Sequence, residues 1–474
     1  MTEPFDAAAL AAGWMQVCRD TARLHHLQGP GLQGLLVERF WGWEALNEPY
    51  EWFVHVLTPR ADLSLEGWLD SRAELHTVGA QGQRYRLSGH IAQARALACN
   101  GALARYELLI VPWLWRLRLG GRPRAWQHCS LRHIIDDVLA GYQPRAAWRW
   151  SAEVDAHLEA LGPWDYVVQG RESDLAFVQR LLARAGLGLR FEEVDGDDDA
   201  PGLGHRAVLF AHSPDPKACP EHPDSARWGA IAYHRAHSQE PRDSVQTYQE
   251  HACHTPGVHT ALGWHDSAKR AITAQAPGAA AGAAAYEDYE LHSAPDSASA
   301  AARARLRGQA LQTQALHYSG QATVRGARCG QWWRLSHLPG RAQPQELLLT
   351  ELIHVGDNPL PHAVHNAAAA LSPAPLGEDR LAPARPIEPG VLAQARASGY
   401  AQHWRAVPRQ SPWRPAPPSA PSAAGPQSAV VVGPDGQPQA PERSALHTAR
   451  LGRIKVRFHW QAAAAFPPRL RRRA

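Results

Sequence analysis

Residues 164–188 read Trp-Asp-Tyr-Val-Val-Gln-Gly-Arg-Glu-Ser-Asp-Leu-Ala-Phe-Val-Gln-Arg-Leu-Leu-Ala-Arg-Ala-Gly-Leu-Gly. The β-branched and aromatic run from Tyr166 to Gln169 predicts the end of a strand. Ser173 is placed to cap a helix, because its hydroxyl can accept a hydrogen bond from an unpaired N–H of the first turn. Gly186 can adopt a positive φ and end that helix, and a return strand is expected over 187–191. The stretch therefore predicts a strand, a capped helix and a second strand.

One face of the predicted helix is apolar. At helical spacing it carries Leu175, Val178, Leu181 and Leu182. This periodicity indicates only α+β structure, and the literal residues are more specific. The pattern Tyr-x-x-Gln-x-Arg-Glu-Ser-Asp-Leu-x-Phe-Val-x-Arg-Leu-Leu, over residues 166–182, resembles the central signature of the VgrG family. These are the spike proteins of type VI secretion, which are similar to phage tail-hub proteins.

Length and composition indicate several folded domains. The chain has 474 residues, of which 45% are hydrophobic and 20% charged, which is ordinary for globular proteins. The net charge of +4, from 49 basic and 45 acidic residues, is a mild excess over this length. It gives no electrostatic reason to expect nucleic acid as the main partner.

The cysteines and the N-terminus predict folding in the cytoplasm. Six cysteines are scattered without a C-x-x-C pair, which favours reduced thiols over a disulfide framework. Residues 1–30 lack the basic region and apolar core of a signal peptide, and no stretch of about 18 apolar residues could span a membrane. We therefore expect no stable membrane insertion, and export only if a dedicated machine carries the protein.

The predicted fold class is mainly β with α+β insertions, in the form of tail-hub-like β-barrel domains followed by an incomplete OB-fold. Five segments are expected: a helical lead-in over 1–30, a first hub β-barrel domain over 31–145, a second hub domain with helical insertions over 146–370, a Pro/Ala-rich connector over 371–426, and an incomplete OB-fold with an atypical tail over 427–474.

The segment that the resemblance assigns to the first hub domain contains short strands, which by themselves favour a β-barrel or a sandwich. They are expected over 35–40, 50–57, 85–94 and 105–111, with Asn100-Gly101 as a hairpin turn before the last strand. The last strand leads into Pro112-Trp-Leu-Trp115, which also resembles a VgrG segment and independently favours a buried, Trp-rich edge. A short helix is expected after Ser130, with its end at Gly141.

The second hub domain is predicted from weaker patterns. Strands are expected over 207–214, 244–254, 321–326, 332–335 and 346–354, and a flexible Ala/Gly-rich loop over 274–285. The run from Tyr286 to Glu290 is similar to a family segment that leads into a helix, here expected over 298–306.

The C-terminal region resembles the beginning of the VgrG OB-fold. Residues 427–434 resemble its first strand, and Gly452 to Trp460 resembles its second, with Ile454, Val456 and Phe458 alternating with polar residues. An OB-fold needs about five strands to close, so two strands predict an incomplete one. The Ala/Pro/Arg tail over 461–474 is interpreted as frame-shifted sequence, with a nucleic-acid or membrane contact for its arginines as the alternative.

Few residue groups suggest chemistry. His251, Cys253, His254 and His259 invite a metal hypothesis, but His251 and His254 would face opposite sides of a strand, and surface histidines are the preferred interpretation. Glu172 and Asp174 are assigned to stabilising the helix dipole rather than to acid/base catalysis.

No other sequence feature predicts a cofactor, metal or catalytic site. The acidic run over 192–199 fits a calcium loop poorly and is interpreted as a solvated hairpin tip. The sequence also lacks a Walker A loop, a G-x-S-x-G elbow and an H-E-x-x-H motif. The prediction is a protein that is not an enzyme.

The resemblance implies a structural role in a type VI secretion tip. A VgrG-like chain is expected to form a homotrimer, to cap the tube of Hcp hexamers, and to be delivered into target cells with effector or adaptor proteins. It would assemble in the cytoplasm and leave through the apparatus without a signal peptide. The alternatives are a baseplate hub of a contractile phage tail, an effector carrier whose active domain lies downstream, and a truncated, non-functional VgrG copy.

Overall fold

A computed structural model describes most of the chain. The described residues are 14, 23–194, 204–234, 242–265, 269–278, 286–293, 296–371, 386–416, 425–438, 448 and 452–460. Most of the predicted lead-in, the acidic residues 195–199 and the tail 461–474 lie outside these ranges.

The described strands, in chain order, are β1 (His25–Gln28), β2 (Leu36–Ala45), β3 (Glu51–Thr58), β4 (Arg72–Val78), β5 (Arg84–Cys99), β6 (Ala104–Val111), β7 (Arg124–Cys129), β8 (Trp148–Trp150), β9 (Trp164–Gln169), β10 (Gly188–Glu193), β11 (His205–Phe210), β12 (Ile231–Ala232), β13 (Gln249–Ala252), β14 (Val258–His265), β15 (Arg270–Pro277), β16 (Glu287–Ser293), β17 (Leu316–Ala322), β18 (Trp332–Ser336), β19 (Gln345–Asp357), β20 (Tyr400–Pro408), β21 (Ala429–Val431) and β22 (Val456–Phe458).

The described α-helices are α1 (Leu131–Ala140), α2 (Val154–Leu161), α3 (Asp174–Ala185), α4 (Pro223–Trp228), α5 (Ser297–Ala315), α6 (His362–Ala369) and α7 (Pro389–Ser398). Short 3₁₀ helices cover Glu66–Trp68 and Trp113–Arg118. The mainly β fold class with α+β insertions is confirmed.

One sheet runs through both predicted hub domains. Its strand order is β1-β4-β5-β6-β3-β2-β19-β20-β17-β13, with β18 paired to β19 and β12 paired to β18. We call β1–β6 its first half, and β12, β13 and β17–β20 its second half. The halves meet where β2 pairs antiparallel with β19, from Ala45 opposite Glu351 to Arg39 opposite Asp357. Backbone hydrogen bonds therefore cross the junction without a break.

The helix predicted after Ser173 forms as α3. Ser173 Oγ accepts a hydrogen bond from the Ala176 N–H at 3.2 Å, and Gly186 ends α3 at φ 66°. The apolar face of α3 is buried, and Phe177 stacks on Trp126 with ring centroids 5.2 Å apart. Strands β9 and β10 flank the helix, which confirms the strand–helix–strand prediction.

The Trp-rich segment after β6 is buried. Trp113 is fully buried and Trp115 nearly so, in a 3₁₀ helix that starts directly after Pro112. Both the packing prediction and the strand that precedes it are confirmed. The helix after Ser130 is also confirmed, since Ser130 Oγ accepts from the His133 N–H at 3.3 Å.

Several predicted elements differ from the structure. Within the predicted helical lead-in, 25–28 is strand β1, paired with β4. The strand expected over 321–326 ends at Ala322, and the one expected over 244–254 is confined to 249–252. Residues 274–277 of the expected flexible loop belong to β15. In each case pairing with another strand, rather than local composition, determines the boundary.

The predicted connector contains ordered structure. Residues 389–398 form α7, and 400–408 form β20, which lies between β19 and β17 in the main sheet. Proline and alanine suggested a linker here, but Tyr400, Ala401 and Trp404 are buried in the sheet. Farther along, β21 and β22 pair antiparallel, with Ala429 opposite Phe458.

Candidate assembly surface

A three-stranded sheet carries three of the exposed large apolar side chains of the described chain. Its order is β15-β14-β16, with β14 antiparallel to β15 and parallel to β16. Side chains alternate between its two faces. One face packs on α5 through small residues, including the buried Ala261, Ala276 and Ala304.

The opposite face is open. It places Leu262 beside Leu291, with Trp264 and Tyr289 on the same side of the sheet. Trp264 is 55% exposed, Tyr289 54% and Leu291 73%. Nine large apolar side chains are exposed in the described part of the chain, and Trp264, Tyr286, Tyr289 and Leu291 are four of them. We call the set Leu262, Trp264, Tyr289 and Leu291 the open face. A cluster of this kind marks a contact with another protein more often than an isolated exposed leucine does.

Ion pairs hold the covered face of this sheet to α5. His259 is fully buried, with Nδ1 3.0 Å from Asp288 Oδ2, and Arg307 Nε donates to the same oxygen at 2.7 Å. Arg303 pairs with Glu290. Burial alone would raise the pKa of Asp288, but hydrogen bonds from Arg307 and His259 outweigh it and lower that pKa. Asp288 and Glu290 of β16 thus face the helix, whereas Tyr289 and Leu291 lie on the other face.

A second polar network crosses the junction of the main sheet. Glu44 on β2 accepts from Arg328 Nε at 3.0 Å and lies 3.1 Å from His354 Nε2 on β19. His354 Nδ1 lies 2.6 Å from the Tyr400 hydroxyl oxygen, which is 3.0 Å from Gln402 Oε1. All of these side chains are largely or fully buried. The network joins both halves of the sheet by side chains as well as by backbone.

Burial sets the charge states in this network. Burial acts to raise the pKa of Glu44, but the Arg328 charge and the His354 hydrogen bond overcome it and lower that pKa. Burial lowers the pKa of His354 and raises that of Tyr400 well above its usual value. The arrangement is an ionised carboxylate bound to a guanidinium, with neutral rings around them, and it is suited to holding strands together.

The two residues of the candidate acid/base pair both bind neighbouring side chains. Asp174 accepts hydrogen bonds from Arg124 Nη2 and the Tyr142 hydroxyl, each at 2.8 Å, and Glu172 pairs with Arg180. The prediction of dipole stabilisation alone was therefore incomplete. These carboxylates bind neighbouring side chains and fix the start of α3.

The four candidate metal ligands have separate surroundings. His251 stacks on His317 with centroids 4.7 Å apart, His259 binds Asp288, and Cys253 and His254 are exposed. In the described ranges no group of three His, Cys, Asp or Glu side chains is placed to hold a metal ion.

The start of the acidic run is structural. Glu192 accepts hydrogen bonds from Arg149 at 2.8 Å and from Arg206, and Glu193 binds Ser88 and Arg328. The interpretation of 192–193 as part of a solvated tip was wrong, because both residues lie on β10 next to arginines. The rest of the run, 195–199, lies outside the described residues.

The open face was not predicted from the sequence. The helix expected over 298–306 is confirmed as α5, which begins at Ser297, but the strand β16 over 287–293 that precedes it was not predicted. The available signal was alternation, since Tyr289 and Leu291 are separated by charged Glu290.

None of the described helices is long and apolar enough to cross a membrane.

Comparison with known sequences identifies the family. The sequence model of the phage tail baseplate hub (GPD) family matches residues 43–360, about two thirds of the chain. The chain belongs to this phage tail baseplate hub family. The predicted resemblance to VgrG spike proteins is confirmed by sequence and by fold.

Two curated relatives of this hub protein are type VI secretion spike proteins of Pseudomonas aeruginosa. VgrG1b is 26% identical over 92% of the chain, and VgrG1a is 26% identical over 90%. The chain covers 53% of VgrG1b and 59% of VgrG1a, so it spans just over half of their lengths.

Solved structures show the same hub fold. The Escherichia coli c3393 protein, described as a type VI secretion component similar to the phage T4 tail proteins gp27 and gp5, matches with a TM-score of 0.59 and 16% identity. That match covers 93% of this chain and 91% of the other. A 43 kDa prophage MuSo2 tail protein of Shewanella oneidensis matches with a TM-score of 0.51 and 11% identity, over 83% of this chain and 100% of its own. These two matches show that the fold is shared.

Proposed function

We propose that this protein is the hub of a type VI secretion tip. Three copies associate, the ring of hubs caps the end of an Hcp tube, and the assembly is delivered with effector or adaptor proteins into target cells. The observation that carries the proposal is the hub-family match over 43–360, which includes strands of both sheet halves. Spike-protein relatives over about 90% of the chain support the secretion context.

The continuous sheet suits a mechanical role. Force applied to one half passes to the other through the backbone ladder of β2 and β19 and through the buried Glu44 network. Three copies supply six sheet halves, a number that matches a hexameric ring. The function proposed is templating and load transfer, without turnover of a substrate.

We expect the open face to lie between copies of the chain. Its three exposed side chains and the neighbouring Tyr286 leave roughly 500 Å² of apolar side chain uncovered, near the upper end for a monomer. A stable interface buries about 800 Å² on each partner, so the open face supplies more than half of what one contact needs. In a ring of three copies, each open face would meet a different surface of its neighbour.

The remaining predictions about organisation and location are part of the same proposal. Residues 427–434 and 452–460 are proposed to begin an OB-fold, which the β21–β22 pair supports. The five segment boundaries stay predictions, with α7 and β20 assigned to the second hub domain instead of the connector. Assembly is proposed to occur in the cytoplasm, before export through the apparatus.

The deciding experiment is the solution mass of the purified chain, followed by mixing with Hcp hexamers. Light scattering coupled to size exclusion should give three times 51.9 kDa, and the trimer should co-elute with Hcp. A monomer at every concentration tested would contradict the trimer. A trimer that does not bind the Hcp of its own strain would contradict the proposed role in type VI secretion.

The second candidate is a baseplate hub of a contractile phage tail. The description of the matched family and the prophage tail structure favour it specifically. Both candidates predict a trimer, so the Hcp mixture distinguishes them: a phage hub should bind a tail-tube protein encoded beside it and not Hcp.

A further inference from the structure

A cavity of about 400 Å³ lies where three parts of the fold meet. Its walls come from β3, β4 and β5 of the first sheet half, from His354 on β19 of the second half, from β10, and from the 325–331 loop before β18. Five arginines line it: Arg84, Arg86, Arg190, Arg325 and Arg328. The volume lies in the range of pockets that hold small molecules.

The charge of this wall is positive. Glu192 and Glu193 are the acidic residues of the lining, and Asp243 and Glu44 bind Arg325 and Arg328 from outside it. Asp224 also approaches from outside, where it accepts from the lining Tyr85 hydroxyl at 2.8 Å. The lining itself therefore has five guanidinium groups against two carboxylates, with three more carboxylates behind it. Glu192 also binds Arg149 and Arg206, so its negative charge is already offset. The field inside the cavity favours an anion.

Three hydrogen-bond donors of lining residues are unused. Trp52 Nε1, Arg325 Nε and Arg328 Nη2 are buried and have no hydrogen-bond partner among the described residues. Trp52 is only 5% exposed. A buried donor without an acceptor costs free energy, so a cluster of such donors calls for an acceptor-rich partner.

We propose that this cavity binds a phosphate group. An oxyanion offers several acceptors at once and matches the planar fork of arginine, which explains why donors and positive charge occur together here. Because the wall combines both sheet halves with β10, bound phosphate would tie these parts together. The inference goes beyond the proposed assembly role and does not depend on it.

Inorganic phosphate and small phosphorylated metabolites both carry a phosphate group, and each source is tested separately. The full chain is titrated by calorimetry with inorganic phosphate and, separately, with a sugar phosphate, at constant ionic strength in chloride so that general screening is matched. The expected result is saturable binding of one ligand per chain, with a higher melting temperature. The tighter ligand identifies the source.

The matched variants are Arg84→Gln and Arg60→Gln. Arg84 is an exposed lining residue, so its replacement should leave the melting temperature of the ligand-free chain unchanged while weakening binding about tenfold. Arg60 is an exposed arginine outside the cavity lining, and its variant should bind like the wild type. An Arg325→Gln variant, measured at a temperature where it remains folded, should also bind more weakly.

Two results would overturn the proposal. One is the absence of saturable heat with either ligand up to about 10 mM, the weak-binding limit for such a site. The other is equal affinity of the wild type and the Arg84→Gln variant, which would place any bound anion elsewhere. Neither measurement requires a trimer or Hcp. Absence of phosphate binding can therefore be distinguished from failure of the proposed function.

Discussion

Arg328 donates a hydrogen bond to Glu44 at 3.0 Å, although 284 positions of the chain separate them. Arg328 also lies 3.2 Å from Glu193 on β10, so one guanidinium pairs with two carboxylates, both of them buried or partly buried. Because the side chain of Arg328 is only 15% exposed, these contacts are poorly screened by solvent. The pair joins the loop before β18 to the first half of the sheet.

Replacing Arg328 should strongly destabilise the protein. Arg328→Gln leaves Glu44 and Glu193 without their common cation, and breaking a buried pair costs about 3–5 kcal/mol. Urea unfolding in phosphate-free buffer measures this cost. The control is Arg60→Gln, whose ion pair with Asp62 is exposed, and we expect no measurable change there. Equal stability of the two variants would show that the Glu44 pair does not hold the junction.

Stability should fall in mild acid because buried histidines must stay neutral. Burial lowers the pKa of His25 from 6.5 to about 3, and its Nε2–H donates to the Gly399 carbonyl at 2.9 Å. Between these pH values the unfolded chain binds a proton that the folded ring does not. The contribution of the neutral ring is complete above pH 6.5 and declines by about 1.4 kcal/mol per pH unit as the pH falls toward 3.

The measurement is the urea unfolding free energy from pH 7 to pH 4. His25→Gln should make the unfolding free energy depend less steeply on pH, by the contribution of one histidine. Replacing the exposed His133 by Gln should leave the pH dependence unchanged. A His25→Gln profile as steep as that of the wild type would contradict the assignment.

Charge on the open face should prevent association of copies. Leu291→Glu places a carboxylate where a 73% exposed leucine is expected to be covered, so the light-scattering mass should fall from trimer to monomer. The melting temperature of the isolated chain should not change, because this side chain makes little contact within it. Leu119→Glu is a matched control, since that leucine is 75% exposed and lies outside the open face. If both variants remain trimers, the open face is not the contact.

Gly356 should not tolerate a side chain. A Cβ atom there would lie 2.1 Å from the ring of Phe40, which is directly opposite on β2 and fully buried. We expect Gly356→Ala to lower the free energy of unfolding by about 1–3 kcal/mol, because the packed ring has no space to move.

Gly170→Ala is the comparison for that prediction. A Cβ atom at Gly170 meets nothing within 4 Å, and we expect a change of less than about 0.5 kcal/mol. A Gly356→Ala variant as stable as this comparison would mean that the β2–β19 junction is loosely packed.

Local structure was predictable where residues determine it by themselves. Ser173 and Gly186 bound α3, and Ser130 caps α1, because capping depends on hydrogen bonds within one turn of the helix. The literal signature over 166–182 also led to the correct family. Strand boundaries in the second half were less accurate, because a strand such as β20 is stabilised by β19 and β17, which are distant in sequence.

The candidate surfaces were not predictable in the same way. Exposed Trp264 and Leu291 look like ordinary apolar strand residues in the sequence, and only the position of α5 decides which face of their sheet is covered. Likewise, Arg84, Arg190 and Arg328 are far apart in the chain, and only the fold brings them to one cavity.

The sequence by itself determined the family, the mainly β class, the capped helices and the burial of the Trp113 segment, because each depends on neighbouring residues or on a literal motif. The tertiary structure alone decided that β2 and β19 join the two halves into one sheet, that Glu44 meets Arg328 and His354, and which face of β14–β16 stays open. The physical reason is that strand pairing, burial and charge pairing between distant residues depend on three-dimensional proximity, which no local pattern specifies.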